Sequence, residues 1–310
     1  MAWSESTPVR GMPTGAKLGA GRNYLKTAML MAFLIAILAI GGNVWGGYQG
    51  MLLFGGIGLV FNFVSYWFSD RIALMMHRAQ PVAREQLPQL YEIVERLTRK
   101  AGMPMPKMYV IPSETPNAFA TGRNPSHAAV AVTQGILRLL DWRELEGVLA
   151  HELSHVRNRD ILISTIAAAV AGLIASLGHM IQWGAMLGGF GGRDDERRGS
   201  GIEMLAWAIL APIMAMVIQL AVSRSREYGA DASGAALIGD PDPLADALLK
   251  LERGNEIQPY EYGGPATAHL FIVHPFSGAG GAIMNLLSTH PPIEERVARL
   301  RAMRRGVRYA

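Results

Sequence analysis

The sequence contains no cysteine, which excludes disulfide bonds and thiolate ligands for a metal. Charged residues are also scarce: they form 17% of the chain, whereas hydrophobic residues form 50%. The mean hydropathy is +0.18, which is unusual for a soluble protein of 310 residues. The composition therefore indicates residence in a lipid bilayer. The lack of cysteine also fits domains that face the reducing cytosol.

No charged residue occurs from Thr27 to Ser69, a stretch of 43 residues. This stretch is long enough for two membrane spans of about 20 residues each, joined by the polar turn Asn43 to Gly50. We therefore predict a transmembrane hairpin at 27–69, whose first span is a retained anchor rather than a cleaved signal peptide. Residues 1–26 are predicted to form a flexible cytosolic tail.

Basic residues flank this hairpin on both sides, and its turn contains none. They are Arg10, Lys17, Arg22 and Lys26 before it, and Arg71, Arg78 and Arg84 after it. The positive-inside rule places the N-terminus and the segments after the hairpin in the cytoplasm. The net charge of +4 is explained by this anchoring, and the basic residues form no patterned face for nucleic acid.

A second uncharged region follows Asp160. Only His179 is titratable among the 32 residues before Arg193, and 204–223 adds 20 uncharged positions. We predict a second hydrophobic hairpin at 161–223 with two spans and a glycine-rich charged loop between them. A buried helical hairpin of a soluble domain is the alternative, and the arginines in the loop weaken the charge bias for a full crossing.

The motif H-E-x-x-H occupies His151 to His155. Asp141 and Glu144 form a capping-box pattern that opens a helix, and an apolar stripe at Leu145, Val148 and Leu149 continues it. On one helix the two imidazoles project from the same face and can hold a single metal ion. Glu152 lies a fraction of a turn further round, where a general base for an attacking water is expected.

Such a site needs a third protein ligand. An extended motif with a third histidine is excluded, because Asn158 and Ile161 stand where glycine and histidine would be required. Asp160 lies on the same predicted helix, about 140° round from His155, so it is expected to face away from the pair and to act indirectly or structurally. Glu227 and Asp231, one helical turn apart, are better candidates.

In this interpretation Glu227 binds the metal, and Asp231 accepts the outer N–H of a liganding histidine. The alternative is that both acids belong to a charged, solvated start of a helix.

The segment between the hairpins indicates an α+β catalytic domain. The spacing of Leu87, Leu90, Tyr91, Val94 and Leu97 predicts an amphipathic helix at 84–101, and strands are predicted at 108–111 and 128–132. A further helix is predicted at 293–303. The chain is thus expected to be predominantly helical, with its catalytic domain divided into 70–160 and 224–310 by the second hairpin.

Four stretches of the chain resemble a known family, the HtpX-type membrane-embedded zinc metalloproteases of the bacterial inner membrane. They are Pro116 to Gly122 (PNAFATG), His151 to Asp160 (HELSHVRNRD), Ser225 to Asp231 (SREYGAD) and Thr289 to Arg296 (THPPIEER), in the family's order. The resemblance covers most of the chain; the N-terminal tail is longer than the family's pattern. It implies a polytopic membrane protein with a zincin-like cytosolic domain.

The resemblance also implies the chemistry. One Zn²⁺ per subunit would be held by His151, His155 and Glu227, with Glu152 as the catalytic base. His290 would polarise the scissile carbonyl, and Asn117, Ala118 and Phe119 would lie beside an extended substrate. The substrates implied are misfolded or damaged proteins, including membrane proteins, in quality control and the stress response.

Several alternatives stay open at this stage. Asn117 is equally well an ordinary turn residue after Pro116, and His290 is alternatively a capping or core residue before the last helix. The remaining histidines are not part of any motif with other metal-binding or catalytic residues, and they are interpreted as structural. They are His77, His127, His179, His269 and His274. A non-catalytic membrane scaffold has little use for a complete metal motif, and a transporter would carry ionisable residues inside its spans.

Overall fold

The computed structural model describes residues 14–166, 170, 224–257, 272 and 291–304. Its helices are α1 (Thr14–Met76), α2 (Pro88–Ala101), α3 (Gln134–Leu139), α4 (Trp142–Arg157), α5 (Arg224–Ile238), α6 (Asp242–Ile257) and α7 (Ile293–Arg304). Its strands are β1 (Gln80–Pro81), β2 (Lys107–Ile111), β3 (Ala118–Gly122) and β4 (Ala128–Thr133). The described part of the chain is therefore mainly helical with one small sheet.

The long helix α1 is interrupted at two glycines. Gly46 (φ −135°, ψ 17°) and Gly47 (φ 58°, ψ −147°) leave the helical region, and Gly47 takes a left-handed φ that glycine adopts at no steric cost. The two halves fold back on each other: a Cβ at Gly42 would lie 2.3 Å from the carbonyl oxygen of Gly50. Further from the turn, Nδ2 of Asn62 donates to the carbonyl oxygen of Met31 at 2.8 Å. α1 is thus an antiparallel hairpin.

The outer surface of this hairpin is apolar. Its exposed large hydrophobic residues include Leu52, Leu53, Ile57, Leu59, Val60, Phe63, Val64, Trp67 and Phe68. Within the described residues, one segment, Gly46–Phe68, is long and apolar enough to cross a membrane, and Thr27–Asn43 is a shorter apolar helix. The number of crossings stays a prediction, and the second predicted hairpin lies outside the described residues except for 161–166 and 170.

The four strands are ordered β1-β2-β4-β3, so β3 is an edge strand of the described sheet. β2 and β4 are parallel, whereas β3 runs antiparallel to β4 with Ala118 opposite Val132. One face of the sheet packs on α2 and α4 through Leu90, Val94 and Leu149. The other face packs on the end of α1 through Leu74 and Phe119. The sheet therefore lies between the apolar hairpin and helices α2 and α4.

Helix α2 begins at Pro88, whereas the sequence analysis placed its start at Arg84. Leu87 has a non-helical conformation (φ −138°, ψ 67°), because the ring of a following proline disfavours helical geometry at the preceding residue. Proline at the first helical position costs nothing, since its missing N–H has no partner there anyway. The prediction of the helix was right and that of its start was wrong.

The capping box predicted for α4 is confirmed. Oδ1 of Asp141 accepts from the backbone N–H groups of Arg143 (2.9 Å) and Glu144 (2.8 Å), and Oε2 of Glu144 accepts from the N–H of Asp141 at 2.9 Å. Such a box stabilises a helix by roughly 1 kcal/mol. Nζ of Lys250 on α6 lies 2.7 Å from the Glu144 carboxylate and joins α6 to this helix start. Helix α4 is thus fixed at its first turn, ahead of the motif it carries.

Candidate metal centre

The side chains of His151, His155 and Glu227 converge where α4 meets α5. One ligand atom from each lies within 4.8 Å of the others. The two Nε2 atoms are 3.2 Å apart, and the Glu227 oxygens are 3.7 Å from Nε2 of His151 and 3.6 Å from Nε2 of His155. All three residues are buried or nearly so. The structure therefore joins the H-E-x-x-H helix to the first of the two acids that the sequence singled out.

This geometry fits a zinc ion. Zn²⁺ binds imidazole nitrogens at about 2.0–2.1 Å in a tetrahedral shell, which puts two ligand atoms roughly 3.3 Å apart. The observed separation of the Nε2 atoms, 3.2 Å, matches this value, and the distances to Glu227 of 3.6 and 3.7 Å are slightly longer. Two histidines and one carboxylate form an established catalytic zinc set.

The electrostatics of the cluster also favour a cation. Burial would lower the pKa of His155, but the carboxylates of Glu227 and Asp160 outweigh it and raise this pKa to about 9. Without a metal, the cluster therefore stabilises a proton on His155. A divalent ion would take the place of that proton, because zinc binds the neutral imidazole.

Glu152 lies beside these ligands and faces the sheet. Its Oε2 accepts a 2.9 Å hydrogen bond from the backbone N–H of Ala120 in β3. Burial raises the pKa of Glu152 above its usual range, more than the nearby His151 and His155 and this hydrogen bond lower it. A carboxylate with a raised pKa is a better proton acceptor than a solvated one, which suits a general base.

Asp160 contacts His155 directly, and the expectation that it faces away was wrong. Its Oδ2 is 3.2 Å from Nδ1 of His155. Helix α4 ends at Arg157, and Arg159 then adopts a left-handed conformation with φ 63°. The chain turns back at this point, so the angular spacing of a continuous helix does not apply. Asp160 thus orients the ring of His155 from the side opposite to Nε2.

Asp231 stands in the same relation to His151. Its Oδ1 is 2.9 Å from Nδ1 of His151, a short contact that lies off the line of a well-directed hydrogen bond. Burial would raise the pKa of Asp231, but the charge and hydrogen bonds of Arg296, together with the close contact of His151, hold it well below the usual range. Asp231 is therefore an anion that faces the imidazole.

Sequence reasoning missed the role of Arg296. This side chain is fully buried, and it donates from Nε (2.8 Å) and Nη2 (2.7 Å) to the two oxygens of Asp231. Arg296 lies in the THPPIEER stretch. Helix α7 contains several arginines, and the sequence alone does not indicate which of them is buried.

The predicted substrate-contacting residues lie at the edge of the sheet and are buried. The backbone carbonyl oxygen of Asn117 accepts from the N–H of Thr133 at 2.9 Å, and the N–H of Asn117 donates to Oγ1 of Thr133 at 2.9 Å. Oδ1 of Asn117 accepts from the N–H of Ile272 at 3.2 Å. All five residues of β3 are buried, and the ring of Phe119 packs against His77 at 5.0 Å between centroids. His290, His179, His269 and His274 lie outside the described residues.

Comparison with known proteins identifies the family. Residues 84–304 match the model of peptidase family M48. The chain belongs to peptidase family M48. A "Protease HtpX homolog" of Desulforapulum autotrophicum is 54% identical over 90% of this chain and 89% of that protein. Another of the same name, from Pelotomaculum thermopropionicum, is 55% identical over 91% of this chain and 99% of that protein.

A solved structure is also similar to this member of family M48. The crystal structure of S. mikatae Ste24p aligns with a TM-score of 0.49 and 20% identity, covering 93% of this chain and 67% of that one. The family and its named relatives make the chain a membrane-associated metalloprotease that acts on polypeptides. The resemblance stated from the four sequence stretches is therefore confirmed.

Proposed function

We propose that this chain is a zinc endopeptidase in which His151, His155 and Glu227 bind one Zn²⁺ and Glu152 is the general base. The observation that carries the proposal is the convergence of three ligand atoms within 4.8 Å, with the Glu152 carboxylate alongside. When bound, Zn²⁺ supplies a Lewis acid that activates water and polarises the scissile carbonyl.

In this mechanism Glu152 moves the proton. Its carboxylate accepts a proton from the water that adds to the peptide carbonyl carbon, and it then delivers that proton to the leaving nitrogen as the C–N bond breaks. The hydrogen bond from Ala120 holds Oε2 at 2.9 Å and leaves the other oxygen, Oε1, for the water. From the family resemblance, we assign to His290 a donor role towards the oxyanion.

We further propose that the substrate adds as a strand beside β3. The backbone carbonyl of Asn117 accepts from the N–H of Thr133 and so points towards β4. Along a β-strand the N–H and C=O groups of alternate residues point to opposite sides, so those of Ala118 and Ala120 point away from β4. The contact between Ala120 and Glu152 agrees with this alternation. A substrate paired with Ala118 would thus present its carbonyl next to the general base. The ring of Phe119 packs against His77 on the face of the sheet that contacts α1, and this packing would hold β3 in place.

The physiological substrates proposed are misfolded or damaged proteins, including membrane proteins, in quality control and the stress response. The relatives' name and the apolar hairpin support a site at the bacterial inner membrane. We propose a multi-pass topology with the active site in the cytoplasm. The proposed domain limits are those stated above, except that helix α1 begins at Thr14, inside the predicted tail. In the cysteine-free chain, Gly191→Cys tests it: labelling by an impermeant thiol reagent in intact cells places the second hairpin's loop outside.

The enzymatic assignment is tested with Glu152→Gln in detergent-purified protein. A glutamine can still accept from Ala120, so the fold is kept while the base is removed. We expect zinc binding to be retained and cleavage of denatured casein to be lost. Glu146→Gln, on the same helix but facing Arg96, is the matched control and keeps activity. Retained cleavage in Glu152→Gln rules out the role given to this residue.

A further inference from the structure

Arg296 is a fully charged side chain with no exposed surface. Its Nε and Nη2 donate to both oxygens of Asp231, and its Nη1 donates to the carbonyl oxygen of Ile272 at 3.1 Å. Burying an arginine is costly unless its donors are satisfied, and here each of its three nitrogens has an acceptor. The guanidinium is therefore fixed in position and orientation.

On one side, Arg296 reaches the metal centre. Its Nη2 lies 3.5 Å from Nε2 of His151, and its hydrogen bonds to Asp231 connect it to the other nitrogen of the same ring. Oδ1 of Asp231 accepts from Arg296 at 2.7 Å and also lies 2.9 Å from Nδ1 of His151. Nδ1 of this histidine is buried and has no other partner within the described residues. Two parallel hydrogen bonds from Arg296 set the rotation of the carboxylate, and the charge of this carboxylate, 2.9 Å from Nδ1, favours the observed orientation of the imidazole.

On the other side, Arg296 is connected to the start of the edge strand β3 through a single residue, Ile272. Ile272 accepts from Arg296 at its carbonyl oxygen and donates from its N–H to Oδ1 of Asn117 at 3.2 Å. Asn117 directly precedes β3, and its backbone is paired with Thr133. The position of Asn117 determines where the outward backbone groups of β3 begin.

We propose that Arg296 is a positioning residue that fixes the metal ligand His151 and the substrate strand β3 relative to each other. It holds His151 through Asp231, and it holds β3 through Ile272 and Asn117. The inference rests on the proposed zinc site and strand addition. In this account one buried arginine aligns the metal centre with the strand that binds the substrate.

If Arg296 had only a structural role, its substitution would lower stability but would not produce defined losses in zinc affinity and in KM. The proposal predicts separable losses. Asp231→Asn should weaken zinc affinity by about 10 to 100-fold, the usual cost of losing a partner of a liganding histidine. Asn117→Ala should raise KM by about fivefold, the factor that corresponds to one hydrogen bond. Arg296→Lys should produce both losses, because lysine keeps the charge but not the planar fork.

The experiment measures zinc affinity by chelator competition, and KM and kcat on a casein-derived peptide at saturating zinc. Arg301→Lys is the matched control, on the same helix but half exposed, and should behave as wild type. An Arg296→Lys protein that matches this control in both zinc affinity and KM overturns the proposal. So does one that loses zinc affinity with an unchanged KM.

If Arg296→Lys does not fold, the double variant Asp231→Asn with Arg296→Gln replaces the ion pair by neutral amides and avoids an unpaired buried charge. The same two losses are expected, and an unchanged zinc affinity or KM contradicts the proposal. Wild-type protein is measured first: absence of zinc binding there refutes the proposed function, whereas normal wild-type binding with unaffected Arg296 variants refutes only this inference.

Discussion

Gly234 on α5 lies directly against the backbone of His151. A Cβ at Gly234 would be 2.9 Å from the His151 nitrogen and 3.1 Å from its Cα. Gly234 is two helical turns after Glu227 and on the same face, so this close approach sets the distance between the carboxylate and the histidines. The separation of 3.7 Å between Nε2 of His151 and Oε2 of Glu227 therefore depends on position 234 being a glycine.

Gly234→Ala should therefore push α5 away from α4. The added methyl group meets backbone atoms that cannot rotate aside, so we expect about 1–3 kcal/mol of destabilisation. Zinc affinity should fall by roughly tenfold or more as Glu227 moves from its position. Gly229→Ala is the matched control, because a Cβ there meets nothing within 4 Å. It should gain up to about 1 kcal/mol from helix propensity. Equal zinc affinity in the two variants contradicts this account.

Removal of the metal should lower thermal stability. Zinc binds the folded centre but not a preformed site in the unfolded chain, so free zinc at 100 times its dissociation constant adds about 2.7 kcal/mol. We expect a chelator to lower the Tm, and added zinc to restore it. Calcium should not restore it, because it prefers six to eight oxygen ligands, and Glu227→Gln should show a smaller response to chelation. A wild-type Tm that is insensitive to chelator argues against the site.

The contribution of Asp231 should be lost in acid. Its pKa is lowered in the folded protein, so its stabilisation is fully present above the unfolded value of about 3.9 and disappears as pH falls below it. With chelator present throughout, the difference in Tm between wild type and Asp231→Asn should be largest above about pH 4 and shrink as the pH falls further below the unfolded pKa of about 3.9. A difference that grows in acid has the wrong sign for this ion pair.

The hairpin of α1 can be tested by crosslinking, since the chain has no cysteine of its own. A Cβ built at Gly55 lies 3.6 Å from the Cβ of Ala39, within the range of a disulfide. The double variant Ala39→Cys with Gly55→Cys should oxidise readily and become protected from a maleimide mass tag. Pairing Ala39→Cys with Gly56→Cys is the control, because Gly56 faces open space. Equal crosslinking of both pairs would contradict the antiparallel packing.

The local features of the site could be predicted from the sequence. The capping box and the four-residue spacing of His151 and His155 are set by helix geometry within one segment, and so is the one-turn spacing of Glu227 and Asp231. These relations depend on a rise and rotation per residue that are the same in every α-helix. Whether Glu227 reaches the histidines depends on how α5 packs on α4. Residue spacing within a single helix cannot predict this packing.

Other features depend on tertiary structure. Asp160 contacts His155 because the chain turns at Arg159, a non-glycine residue with positive φ that gives no helix-stop signal. Arg296 sits in a helix with a highly charged sequence, whose pattern predicts exposure rather than a buried guanidinium. The start of α2 at Pro88 could be predicted, since proline commonly opens helices, whereas the apolar periodicity alone continues back to Leu87.

The most direct test of the central claim is the zinc content of the purified protein, compared between wild type, Glu227→Gln and the control Glu146→Gln. The account predicts one zinc per chain in wild type and in the control, and a strongly reduced content in Glu227→Gln, with casein cleavage following zinc content. Full zinc occupancy in Glu227→Gln, or none in wild type, would contradict the assignment of His151, His155 and Glu227 as the metal centre.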